Sequence, residues 1–386
     1  MTETRQAIAR AHSTAAGTDD AVAALSAQLG EAPLACLILF AAPCHDLSAL
    51  ARGLRARHDV PSVIGCTTAG ELGPGGYAED SVVALGLKRS HFVVESVLIE
   101  PLDDLNPREL AHQSLQARQA TAAAEPGWDE EFAFLLVDGL SMREDQVVSA
   151  IMPALGGTPL FGGSAGDNLS FRSTSVLLGD EARPDAAVLS FVRTRCAFRV
   201  FRYDNFLPTE TCLVVTGADP ANRLVKEING EPAAIEYARL VGKDPNQLSP
   251  MTFAAHPVVV RMGAEHHVRA IQRIDDNSTD LRFFSAIDEG LVLRVAESQD
   301  ITRHLDAALG DLSAERPPDM IMACDCILRK LDAEQQQQGR AVSEILSRHR
   351  VYGFSTYGEQ YNGQHVNQTF TGVAIYAPED EAHVPA

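Results

Sequence analysis

Apolar positions fall into two periods along this chain. Leu34–Ala41 is an unbroken apolar run, which predicts a buried strand. Leu47, Leu50 and Leu54 recur at helical spacing over 46–57, and Val22, Leu25 and Leu29 mark one face of a helix assigned to 5–29. Residues 62–71 read as a strand and turn. Residues 81–88 and 92–100 read as two strands joined in a hairpin around Arg89–His91. A helix over 107–119 and a connection over 120–129 follow. The order then repeats: a strand at 131–137, a helix opened by a Ser141/Glu144 capping box, a strand and turn at 160–167, then strands at 173–178, 186–193 and 196–203.

The second half is less regular. Strands are expected at 212–217 and 223–228, a short helix at 232–240 and loop at 243–255. Val258–Met262, 267–274 and 281–285 read as a three-stranded meander, with a further strand at 291–295. Asp300 is placed to cap a helix carrying Ile301, Leu305, Ala308 and Leu309 on one face. A buried strand at 320–324, a helix from 327, a low-complexity stretch at 335–338 and a helix striped by Val342, Ile345 and Leu346 lead into the final strands.

One turn occurs three times. Val63-Ile64-Gly65-Cys66-Thr67-Thr68-Ala69-Gly70-Glu71 has the form of Tyr352-Gly353-Phe354-Ser355-Thr356-Tyr357-Gly358-Glu359. Leu160-Phe161-Gly162-Gly163-Ser164-Ala165-Gly166-Asp167 is one residue shorter. The first Gly permits close backbone approach at a strand end, and the second is expected at positive φ. The pattern predicts an α/β fold: mixed β-sheets layered with helices, built from duplicated strand–helix–strand-turn units and forming two related halves, 30–215 and 216–377.

Composition narrows the function. The 386 residues carry a formal charge of −20, which argues against nucleic acid and anionic membranes as partners. The N-terminal stretch lacks the apolar segment of a signal peptide, and no run is long enough to span a bilayer, so a cytoplasmic chain with reduced cysteines is expected. Residues 378–386 read as frayed, and Glu379-Asp380-Glu381 as a solvated acidic cluster.

No nucleotide-binding, zinc-protease or nucleophile-elbow motif is present. Cys324-Asp325-Cys326 lacks the second pair a metal site needs, and core packing accounts for it. Cys66, at a strand end, would be a nucleophile only beside an activating base, and a structural role is favoured. Among twelve histidines, His365 stands out, in a polar cluster with Asn362, Gln364, Asn367 and Gln368 ahead of a strand. His256 precedes Pro257 and an apolar run. A hydrogen-bonded or exposed histidine is the plainer reading of each.

The three turns, together with 283–295, 323–331 and 365–375, resemble the FIST proteins, with an N-terminal FIST domain followed by a C-terminal one. That resemblance implies an intracellular, non-enzymatic sensory protein for small ligands. The arrangement is similar to bacterial nitric-oxide-sensing FIST haemoproteins, which bind haem b and regulate a partner histidine kinase or cyclic-di-GMP enzyme. Under that reading His365 or His256 supplies the iron ligand, with His365 preferred. Phe283, Phe284 and Phe370 supply walls, and Arg261 or Arg282 meets a propionate. The alternatives are a FIST module binding an organic ligand such as an amino acid, or an enzyme using Cys66 or a carboxylate.

Overall fold

The computed structural model describes residues 6–262, 265–275 and 278–378. Glu379–Glu381 and most of the stretch read as frayed lie outside them. The first 88 residues contain β1 (Ile8–Ser13), α1 (Thr18–Leu29), β2 (Leu34–Ala41), α2 (Leu47–Arg55), β3 (Ser62–Thr67), a hairpin of β4 (Glu71–Gly73) and β5 (Gly76–Ala78), and β6 (Val82–Lys88). The same series follows as β7 (Phe92–Ile99), α3 (Pro107–Ala124), β8 (Glu130–Val137), α4 (Glu144–Leu155), β9 (Leu160–Ser164), the hairpin β10 (Val176–Leu178) and β11 (Glu181–Arg183), and β12 (Ala187–Thr194).

A third copy opens with β13 (Ala197–Tyr203) and is interrupted by an insertion. The insertion holds β14 (Phe206–Asp219), β15 (Leu224–Ile228), β16 (Glu231–Pro232), α5 (Ala233–Leu240), α6 (Pro250–Ala255), β17 (Val258–Met262), β18 (Glu265–Arg269), β19 (Ile271–Ile274), β20 (Leu281–Phe283) and β21 (Val292–Ser298). The copy resumes with α7 (Ile301–Leu312), β22 (Met320–Cys326), α8 (Ile327–Gln335), α9 (Gly339–Arg348), β23 (Val351–Thr356), the hairpin β24 (Glu359–Tyr361) and β25 (Gln364–Val366), and β26 (Phe370–Tyr376). The fold is therefore α/β with mixed sheets, and its repeat is threefold rather than a pair of halves. The division expected at 215/216 falls inside β14.

Each repeat builds one six-stranded sheet, and the hairpins are exchanged in a ring. β10–β11 of the second repeat extends the first sheet at β3. β24–β25 of the third extends the second sheet at β9. β4–β5 of the first extends the third sheet at β23. In each sheet two strands run parallel, β2 with β3, β8 with β9 and β22 with β23.

Alternation along these strands explains their continuous apolar runs, since both faces are covered. Cys36, Ile38 and Phe40 join Phe132, Phe134, Met322, Cys324 and Phe354 in one core shared by all three sheets. Leu37 and Leu39 instead pack under α1 and α2, Leu135 and Val137 under α3 and α4, and Ile321 and Ala323 under α7 and α9. The first glycines of the three turns are equivalent. Gly65, Gly162 and Gly353 lie opposite Leu39, Leu135 and Ala323. A Cβ at each would stand 2.2, 2.1 and 1.8 Å from that partner's carbonyl oxygen.

Several local expectations are corrected. Residues 8–13 are a strand, because pairing with β6 outweighs the helix propensity of Ala and Arg. β6 and β7 form no hairpin: β6 is flanked by β1 and β2, and β7 pairs with β12 in the second sheet. Ser141 and Glu144 form no capping box, since Arg143 is the N-cap and Glu144 is ion-paired elsewhere. The meander is two hairpins, β17–β18 and β19–β20, on opposite edges of the inserted eight-stranded sheet. The loop at 243–255 contains α6. Of the later turn glycines only Gly70 has positive φ, at 123°. Gly166 and Gly358 are set by close contact, with a Cβ 2.8 Å from Ala69 and 2.4 Å from His365.

Candidate functional site

The turns after β3, β9 and β23 interlock through backbone bonds. Ala69 N–H donates to Ser355 C=O, Gly166 N–H to Thr67 C=O and Ser164 N–H to Gly358 C=O. Two carboxyls pin them from below. Glu71 accepts from Thr68 and from Ser81 N–H and hydroxyl, and Glu359 is held in the same way by Thr356 and Thr369. Burial pushes Glu71 up to about 7 and Glu359 up to about 8, against the hydrogen bonds that lower them.

Where the third repeat's hairpin meets α4 and the insertion, polar side chains gather in the interior. His365 is 3% exposed and paired in register with Gln360, so it lies in a buried strand rather than in the polar loop expected. Its Nδ1 stands 3.5 Å from Gln360 Nε2, which itself donates to Ser164 Oγ at 3.0 Å. Gln368 Nε2 donates to Ala254 C=O at 2.9 Å. His365 Nε2, Gln360 Oε1, Gln368 Oε1, Ser285 Oγ and both side-chain polar atoms of Asn367 have no hydrogen-bond partner among the described residues. Burial lowers the His365 pKa; Glu144 and Asp145 pull against it, while Arg223 and Arg269 add to it, so the ring is neutral at neutral pH.

The first repeat offers a contrast. Tyr77 opposes Leu72 in β4–β5 as His365 opposes Gln360 in β24–β25. The Tyr77 hydroxyl donates to Asp325 at 2.5 Å, and Asp325 pairs with buried Arg329 at 2.8 Å. The equivalent position in the third repeat's hairpin holds an imidazole with an open nitrogen.

Arg223 joins this cluster to a cavity of about 380 Å³ between the second repeat and the inserted sheet. Arg223 is 5% exposed, pairs with Glu144 at 2.8 Å and Asp145 at 3.6 Å, and donates to Phe284 C=O. Asp145 also accepts from Ala286 N–H. Phe171, Phe283 and Phe284 line the cavity, with Arg282 at its side. Phe171 stacks on Tyr357 at 4.6 Å, and the Tyr357 hydroxyl is bonded to Asp167, which also holds the 171–173 backbone.

The other residues singled out in the sequence are dispersed. Phe370 packs in the third repeat's outer core, against Phe201 and beneath Arg329. Arg261 is exposed on β17. His256 ends α6; its carbonyl accepts from Tyr237, and its charged neighbours are Lys243, Asp332 and Glu297, none of them shared with His365. Asn362 holds Leu160 N–H rather than His365. Cys66, Cys324 and Cys326 are buried, and burial raises each thiol well above its usual range, so none is a ready thiolate. Among the described residues no group of His, Cys, Asp and Glu converges as a metal site, and no helix is long and apolar enough to cross a membrane.

Gln360, Ser285, Asp145, Arg223 and Arg269 were not expected at the site, although Ser285 lies in the 283–295 stretch that carries the resemblance. Gln360 continues the polar density around 362–368 and had a local signal; Arg223 had none. The family model described as the FIST N domain matches residues 35–231, and that described as the FIST C domain matches 233–362. The matched residues include Glu144, Arg223, Ser285 and Gln360 and stop three short of His365. No curated protein matches the chain.

Proposed function

The chain belongs to the FIST family, whose domains are small-ligand sensory modules, and from that we propose that its ligand is a small polar organic molecule recognised around His365 and Arg223. One observation carries the reading. Among the described residues, five buried side chains, His365, Gln360, Asn367, Gln368 and Ser285, carry polar atoms with no protein partner; none of the five lines the aromatic cavity, to which Arg223 is the link. Buried polar groups are normally satisfied, so a cluster of open donors and acceptors marks a place for a ligand with matching groups. An amino acid or a similar small polar compound has the required chemistry.

Haem b fits these residues poorly. It needs an axial nitrogen facing an apolar slot. His365 does not line the cavity, and the side chains around it are amides, carboxylates and guanidinium groups. Phe283 and Phe284 border the cavity, but Phe370 sits in a different core. Nitric oxide sensing and regulation of a histidine kinase or cyclic-di-GMP enzyme rest on the resemblance alone.

The test is a thermal-melt screen of the purified protein against free amino acids and small carboxylates. A ligand near a hundred times its Kd should add about 3 kcal/mol of stability. His365→Ala and Asn367→Ala should abolish the shift while remaining folded. No stabilisation by any compound, together with a Soret band that survives desalting, would return the haem reading.

A further inference from the structure

A second cavity, of about 720 Å³, lies at the opposite end of the strands from the turns. It is bordered by the start of β1, the end of β6, the end of α1 and the start of β23, so it joins the first and third repeats. Arg10, Lys88 and Arg350 line it, with Glu31 as the acidic lining residue. Arg10 is fixed by donating to Asp319 C=O at 2.9 Å and by lying 5.8 Å from the Tyr352 ring centroid. Lys88 and Arg350 make no ion pair among the described residues.

Cations at two other places in the fold are neutralised by neighbouring acids. In the candidate ligand site Arg223 and Arg282 are committed to Glu144 and Asp275. On the exposed face of α7 and α9, Arg348 and Arg340 are committed to Asp306 and Glu344. In a chain of formal charge −20, a groove holding three cations against one acid is a local reversal of sign. Such a cluster suits a phosphate, which accepts charge-assisted bonds from Arg and Lys together. The groove is larger than a phosphate requires. Its far wall is the C-terminal end of α1, Leu29 and Gly30, where helix carbonyls lack intrahelical partners. Those carbonyls repel anions and accept from hydroxyl or amino groups.

We propose that this groove binds a nucleoside phosphate, with the phosphates at Lys88 and Arg350 and the donors of the sugar or base towards the end of α1. It is separate from the site around His365 and stands whether or not that site takes an organic ligand.

Titration calorimetry of the whole chain with ADP and GDP, and with adenosine and inorganic phosphate as partial ligands, tests it. One of the diphosphates should bind, weakening as salt is raised. Adenosine and phosphate should each bind at least about tenfold more weakly. Lys88→Ala and Arg350→Glu should each reduce affinity by about tenfold or more, with an unchanged circular dichroism melt showing that they fold. His365→Ala should bind the diphosphate as the wild type does. Absence of binding by both diphosphates at millimolar concentration overturns the proposal. So does retention of affinity in both charge variants, equal affinity for inorganic phosphate, or loss of binding in His365→Ala.

Discussion

Replacing Glu359 with Gln tests whether a buried, neutral carboxyl holds the third turn. Gln keeps the shape and can accept from Thr369 while donating to Thr356, so the hydrogen-bond frame survives. Glu359 is fully buried, and burial raises it from 4.5 to about 8. The folded chain therefore holds this proton more tightly than the unfolded chain does. The stability it contributes is complete below pH 4.5 and is lost as pH rises to about 8. From pH 5 to pH 8 the loss amounts to roughly 3 to 4 kcal/mol. Other groups titrate across this window, notably His365, so the variant must be compared with the wild type at each pH. Urea unfolding followed by far-ultraviolet circular dichroism at pH 5, 6.5 and 8 gives that difference. Glu359→Gln should gain on the wild type steadily with pH. Parallel stability curves would show that Glu359 titrates alike in both states, and the argument from burial would fail.

Three further outcomes are expected. Gly353→Ala, which sets a Cβ 1.8 Å from a partner carbonyl, should leave little folded protein, by soluble yield and circular dichroism, whereas Gly310→Ala, in open space, should fold normally. Arg223→Ala strands Glu144 without its cation and should cost about 3 to 5 kcal/mol in urea unfolding, with Glu144→Gln in the same chain restoring part of it. A thiol reagent should modify Cys44 and Cys212 quickly and the other five cysteines only after denaturant is added, as mass spectrometry would show.

What could be read beforehand followed the range of the interactions. β2 declared itself because both its faces are covered, and the Asp300 cap because it bonds Thr302 and Arg303 two and three residues on. The turns were visible three times because Gly65, Gly162 and Gly353 answer one steric demand. That the repeat is threefold was hidden by the insertion, which parts β13 from β22. β1 was hidden because its strand character comes from β6, some seventy residues later. His365 was noticed for its polar neighbours, but its surroundings were misjudged. Glu144 and Arg223 reach it from more than 140 residues upstream, and no local pattern announces such a meeting.

The ring of exchanged hairpins also bears on how this chain can be made. The hairpin β4–β5 leaves the ribosome early, yet the strand it pairs with, β23, is synthesised some 280 residues later. Likewise β9 has to wait for β24. A nascent chain carrying only the region matched as FIST N would leave the β9 edge, the β4–β5 hairpin, β13 and one side of β14 without their partner strands, each an opening for aggregation. The two named domains should therefore melt as one unit, and folding should be completed only when the last repeat has emerged.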